Sequence, residues 1–220
     1  MLIGHYAPAL LLKTRAPKLP LWVLFIGVEV LDYLWSVFVL TGVERMRVTP
    51  GINASNGLDL YDMPWSHSLV ATVGWSLLVG AVIFWWRREW GSAVAMALAV
   101  ASHFALDLLV HVNDLPLAGA GTLKLGFGLW NHFTLALLLE TGLFVGAVLV
   151  LTFSLGWQRH RSWWWLAGGM TVACVVSFFV PTPGGPVEMA LTGLALYVAL
   201  PLLAKRVDVT SGAASSPSPG

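Results

Sequence analysis

Six apolar stretches, separated by short polar or charged interruptions, run along the chain at residues 21–43, 66–86, 91–112, 128–155, 163–180 and 187–204. A membrane-crossing helix needs about 20 mostly apolar residues, and each stretch meets or approaches that length. No stretch is visibly broken at its centre by Gly or Pro. Residues 1–12 are apolar but too short to cross, and read as an interfacial or re-entrant helix. The pattern predicts an all-α, polytopic membrane bundle. It would form one domain over residues 1–206, with six transmembrane helices and the short N-terminal helix. Residues 207–220, rich in Ser, Pro, Gly and Ala, read as a disordered tail.

Composition supports the same class. Of the 220 residues, 57% are hydrophobic and 10% charged, against about 25% charged in soluble domains. An ordinary cytosolic enzyme and a disordered chain are excluded. A net charge of +1 is too small for a phosphate-binding surface, which excludes a nucleic-acid partner. The single cysteine, Cys174, excludes an intramolecular disulfide and a cysteine-built zinc site.

Nine lysines and arginines fall on one side of the six expected spans and three on the other. The positive-inside bias then puts both termini in the cytoplasm. Trp85, Trp86, Trp90 and the run Trp163–Trp165 flank the basic loops and read as an interfacial aromatic belt.

Ionisable residues inside apolar spans are costly, so each marks a candidate functional position. The first span carries Glu29 and Asp32, and the second opens with His67. The third carries His103, Asp107 and His111, with Asp114 just beyond, and the fourth carries His132 and Glu140. On an ideal helix continued to Asp114, these four residues of the third span fall in an arc of roughly 80°. Such a stripe faces a polar interior or an ion, not lipid. Asp32 and His103 both lie roughly 17 Å from the expected cytoplasmic end of their helices.

Imidazoles with carboxylates are the ligand set for zinc, manganese or iron. His103 and Asp107 stand one turn apart and can share one ion. A carboxylate off the metal could take a proton, with Asp114, Glu29 and Glu140 as candidates. The fifth and sixth spans carry nothing comparable and read as scaffold.

Gly4-His5, Asp32, Ser66-His67-Ser68-Leu69 and the Ser102-His103 to Asp107 segment occur in that order. Together they resemble the membrane-bound metal-dependent hydrolases of bacterial inner membranes, a family similar to zinc-dependent phospholipase C and its nuclease relatives. The resemblance covers roughly the first 115 residues. It implies His5, Asp32, His67, His103 and Asp107 as metal ligands, and hydrolysis of a phosphate ester or lipid. The family's second acid and histidine are missing beside Asp32, and Asp62-Met63-Pro64-Trp65 stands where the family has His-Arg-Gly. One ion is therefore expected rather than two, with His111 or Glu29 compensating. The competing expectation is a metal-ion or proton transporter using the same buried His/Asp/Glu chain.

Overall fold

The computed structural model of the chain describes residues 1–182 and 184–214, with side chains up to Asp208. It is mostly helical. Helices α1 (Tyr6–Arg15), α2 (Leu21–Val28) and α3 (Val30–Leu40) are followed by strands β1 (Arg45–Val48) and β2 (Leu58–Asp62). Then come α4 (Leu69–Arg87), α5 (Trp90–Val110), β3 (Leu115–Pro116) and β4 (Lys124–Leu125). Helices α6 (Phe133–Ser154), α7 (Arg161–Ser177) and α8 (Pro186–Ala214) complete the chain.

Among the described residues, four helices are long and apolar enough to cross a membrane: α4, α5, α6 and α8 through Asp208. The pair α2 and α3, bent by 51° at Glu29, passes the same test only when taken together, which gives up to five. Of the six expected crossings, that over residues 163–180 is not among them, because α7 has 17 residues. At 1.5 Å per residue that is about 26 Å, short of a hydrocarbon core of about 30 Å. The bend at Glu29 also overturns the expectation of unbroken spans. No proline marks it.

The expected tail is shorter than residues 207–220, since α8 continues to Ala214. Tertiary contacts hold its described part. Val207 is buried, and Asp208 accepts the Leu21 N–H at 2.7 Å and lies 3.7 Å from Lys13 Nζ. Residues 215–220 lie outside the described residues.

The N-terminal segment is the most deeply enclosed part of the bundle. Ile3, Tyr6, Ala9 and Leu10 have no exposed surface. Helix α1 starts at the polar centre of the molecule and runs outward to Arg15, and α2 returns. The short N-terminal helix thus begins inside the bundle, which brings His5 inward. Gly4 permits the close approach, since a Cβ there would sit 2.8 Å from Glu140 Cγ.

At the other end the interhelical loops form a stitched roof. Strands β1 and β2 pair antiparallel, with Arg47 opposite Asp59. The Ala54 N–H and Ser55 hydroxyl donate to the Trp130 carbonyl at 3.1 and 2.8 Å. The Gly57 N–H donates to Thr182 Oγ1 at 3.0 Å, tying the α3–α4 loop to the α7–α8 loop. Gly126 crosses under this roof at φ 150°, where a Cβ would meet the Val112 carbonyl oxygen at 2.0 Å.

The aromatic belt is partly as expected. Trp85, Trp86, Trp90 and Trp165 are exposed. Trp163 is not, because it packs in the core and donates its indole N–H to Thr152 Oγ1 at 2.7 Å.

Candidate metal centre

Four chain segments deliver the polar centre. Helix α5 presents His103 and Asp107, both buried and one turn apart. Helix α3 presents Asp32 in its first turn, His67 stands just before α4, and His5 just before α1. The helix ends at Val110, so His111 follows it in extended backbone and Asp114 lies off the helix. The predicted four-residue stripe therefore breaks after Asp107, yet His111 still turns inward.

Hydrogen bonds on the outer ring nitrogens fix three of the histidines. His103 donates its Nδ1–H to the Val28 carbonyl oxygen at 2.6 Å. That carbonyl belongs to the last residue of α2, where helix termini leave acceptors without intrahelical partners. His111 donates its Nδ1–H to Asp114 Oδ1 at 2.9 Å. Ser66 Oγ lies 2.5 Å from Glu44 Oε2 and 2.8 Å from His67 Nδ1. The hydroxyl has one proton, which goes to the carboxylate, so it accepts the His67 Nδ1–H. A carbonyl and a carboxylate only accept. Each of the three rings therefore spends its outer nitrogen on an acceptor and turns Nε2 toward the cluster.

The Nε2 atoms point at carboxylates. His67 Nε2 and His103 Nε2 are 3.3 Å apart. Asp32 Oδ1 lies 3.3 Å from the first and 3.6 Å from the second. Asp107 Oδ2 lies 3.6 Å from the first and 3.2 Å from the second. Imidazole nitrogens and carboxylate oxygens converge there, a donor set that suits a cation. A tetrahedral ion with ligand bonds of about 2.0–2.2 Å needs ligand atoms about 3.3–3.6 Å apart. Five of the six separations among these four atoms lie within or close to that range, while the groups whose ligand atoms all lie within 4.8 Å of one another are triads.

Asp107 also reaches the other way. Its Oδ1 lies 3.0 Å from His5 Nε2, 3.5 Å from His111 Nε2 and 2.9 Å from the Met1 nitrogen. His5 stacks on His103, with ring centroids 3.6 Å apart and planes 6° from parallel. Neither His5 ring nitrogen makes a hydrogen bond. Two triads have ligand atoms within 4.8 Å of one another: His5, His103 and Asp107, and Asp32, His67 and His103. Such a group could hold a metal ion.

The three expected proton acceptors sit in different surroundings. Asp114 is committed to His111. Glu140 Oε1 accepts the N–H groups of Leu2 and Gly4 at 2.7 and 3.1 Å, which pins the N-terminal segment to α6. Glu29 is fully buried at the bend, and neither carboxyl oxygen has a hydrogen-bond partner.

Comparison of the chain with family models, curated proteins and solved structures finds no match. The reading of the centre rests on its own geometry.

Two participants escape the sequence. Glu44 reads as a loop acid, yet it is buried and accepts from the Trp65 and Ser66 N–H groups at 2.7 and 2.8 Å as well as from the Ser66 hydroxyl. Tyr197, on the expected scaffold helix α8, donates its hydroxyl to Asp32 Oδ2 at 2.7 Å. The one signal available for Tyr197 was its being the sole hydroxyl-bearing aromatic of residues 187–204.

A cavity of about 800 Å³ opens beside the centre. Asp32, His67, Asp107 and His111 line its polar end together with Glu140 and Tyr197. Phe178, Phe179, Met189 and Leu196 line its apolar end.

Proposed function

We propose that this chain is an integral membrane, metal-dependent hydrolase acting on a phosphate ester or lipid, with zinc as its ion and manganese or iron as the alternatives. The observation that carries the reading is the set of three histidines whose outer nitrogens are all spent on acceptors, with their Nε2 atoms turned toward two carboxylates. Second-shell bonds of this kind orient metal-binding histidines. The resemblance drawn from the sequence names four of the same residues and His5 beside them.

A divalent ion bound there supplies Lewis-acid polarisation and lowers the pKa of a water toward about 7. Asp32, His67 and His103 would hold it with Asp107 beside them, and a catalytic ion keeps a further position for water. Glu140 is the one of the three candidate acceptors that lines the cavity, and it takes the proton that the attacking water gives up. The water oxygen forms the new bond to the substrate, the ester bond breaks, and the departing oxygen takes the proton back from Glu140. Tyr197 keeps Asp32 turned toward the histidines.

In this reading α7, extended by Phe178 to Val180, completes a sixth crossing. Both termini then face the cytoplasm of a bacterial inner membrane, following the lysine and arginine bias.

A second reading, a proton or metal-ion pathway, is favoured by the bend at Glu29. Broken helices and buried, unpartnered carboxylates are features of transporters. Elemental mass spectrometry on detergent-purified protein separates the two. The hydrolase reading expects about one zinc, manganese or iron per chain, the open catalytic site needing a single ion, lost in His103→Ala and Asp107→Ala. No metal in folded wild type, even after reconstitution with those ions, overturns it and leaves the pathway reading to be tested by flux in liposomes.

A further inference from the structure

The cavity beside the candidate centre is lined by loop residues at one end and by the α7–α8 cleft at its side. Its roof is the segment from Pro50 to Leu58, fixed by the hydrogen bonds to Trp130 and Thr182 described above. Its flank is the cleft between the end of α7 and the start of α8. Val176, Phe179 and Val180 line the cavity and are also 48, 67 and 58% exposed, so this wall reaches the outer surface. Ala173 and Thr192, small residues on facing helices, are likewise exposed and line it. From its mouth the cleft descends along α8 to Leu196 and Tyr197, about 15–17 Å into that helix at 1.5 Å per residue. In a bundle whose neighbouring helix faces are apolar, what lies at such an opening is hydrocarbon.

The charge at the polar end narrows the occupant. Among the described residues, no lysine or arginine lines the cavity, while Asp32, Asp107 and Glu140 do. The Met1 amine is spent on Asp107. A divalent ion at the centre would balance the remaining carboxylates and leave no surplus positive charge for a doubly anionic head group. The size suits a ligand larger than a headgroup alone, since sites of about 300–1,000 Å³ hold whole drug-sized molecules.

We propose that the substrate is a lipid of the surrounding bilayer with a neutral or zwitterionic head group, which slides in sideways between α7 and α8. Its chain lies along Val176, Phe179, Met189 and Leu196, and its head meets His67 and Asp107. This rests on the metal-hydrolase reading and narrows its substrate.

The test reads binding apart from hydrolysis. Full-length protein, delipidated in detergent and loaded with zinc, is offered an equimolar mixture of dioleoylglycerol, dioleoylphosphatidylcholine and dioleoylphosphatidate, and retained lipid is read by native mass spectrometry. Wild type is expected to retain the first two over phosphatidate by at least about fivefold, a difference such measurements resolve. Thr192→Trp and Ala173→Trp, which fill the cleft from opposite helices away from the centre, should each lower retention by about the same factor with zinc content unchanged. Leu202→Trp, on an exposed face outside the cleft, should change nothing. Equal retention in the filled variants and wild type, preference for phosphatidate, or no retained lipid overturns the proposal. Cleft-dependent lipid retention in a protein that takes up no zinc supports the lipid site and sinks the hydrolase reading alone.

Discussion

His103 and Val28 are joined across 75 residues by a 2.6 Å hydrogen bond from the imidazole Nδ1 to the carbonyl oxygen. The bond ties the metal-facing side of α5 to the end of α2, where the chain bends. It gives His103 two separable functions, one on each ring nitrogen. An Asn side chain places its amide close to where Nδ1 stands and offers nothing at Nε2. His103→Asn is therefore expected to lose the metal while keeping the stability of metal-free wild type. His103→Ala should lose both, because the buried Val28 carbonyl is left without a partner at a cost of about 1–3 kcal/mol. For a chain of this size that is a drop in Tm of about 2–12 °C. Thermal unfolding of the three metal-free proteins, with metal content measured in parallel, checks it. Equal Tm values for the Asn and Ala variants would show that the Val28 bond does not contribute.

Glu44 acts on the centre through Ser66. The hydroxyl holds the His67 Nδ1–H, so the ring presents Nε2 to the cluster. Ser66→Ala removes this tether and leaves every proposed metal ligand in place. Affinity for zinc should fall about 10–100-fold, the usual cost of losing a second-shell partner, as read by competition with a chelator of known affinity. Glu44→Gln should fall in the same range, since an amide is a weaker acceptor for the Ser66 hydroxyl. Unchanged affinity in both would remove Glu44 from the centre and leave it as an anchor for the Trp65 and Ser66 amides.

Much of the centre was legible because its cost is written in the sequence. His67, His103, Asp107 and Asp32 stand out as ionisable groups inside apolar stretches. What the sequence hides is what costs little there. Tyr197 carries no charge and passes as a packing aromatic. Glu44 falls just past an apolar run, where acids are ordinarily solvated, and only the fold of 41–66 buries it. The fold shows the same division. The long apolar helices follow from hydropathy alone. The bend between α2 and α3 does not, because His103 lies far along the chain from the Val28 carbonyl it engages. The length of α8 also depends on a distant contact, of Asp208 with Leu21.

Tyr197 and Asp32 offer a conservative probe of that hidden contribution. Tyr197→Phe removes one hydroxyl and keeps the ring that packs against Gly193 and Tyr33. Asp32 keeps Oδ1 toward His67 and His103 but loses the bond that orients Oδ2. Metal should be retained with an affinity lowered by about tenfold, the low end of second-shell losses, whereas Asp32→Ala should abolish stoichiometric binding. Chelator competition on the two variants distinguishes a ligand from the residue that positions it. Full loss of metal in Tyr197→Phe would mean the hydroxyl itself is a ligand.

Removing the metal should loosen one end of the molecule more than the other. Asp32, His67, His103 and Asp107 come from α3, the α4 lead-in and α5, and His5 from the α1 lead-in. Without an ion, the charge of two buried carboxylates is offset only by ring protons and the Met1 amine, and the residual repulsion between the carboxylates opposes the packing of those elements. The Asp208 contacts with Leu21 and Lys13 lie at the far end and carry no such conflict. Chelation should therefore lower Tm, and zinc added back at about 100 times its Kd should recover about 2.7 kcal/mol, some 5–11 °C for a chain of this size. Hydrogen exchange should rise on chelation in residues 1–5, 28–33 and 103–114 and stay unchanged in residues 200–208. Asp208→Ala should do the reverse, destabilising α2 by about 1–2 kcal/mol through its uncapped N–H groups while the metal content holds. Exchange that rises evenly along the chain on chelation would mean the ion stabilises the whole bundle and not this centre.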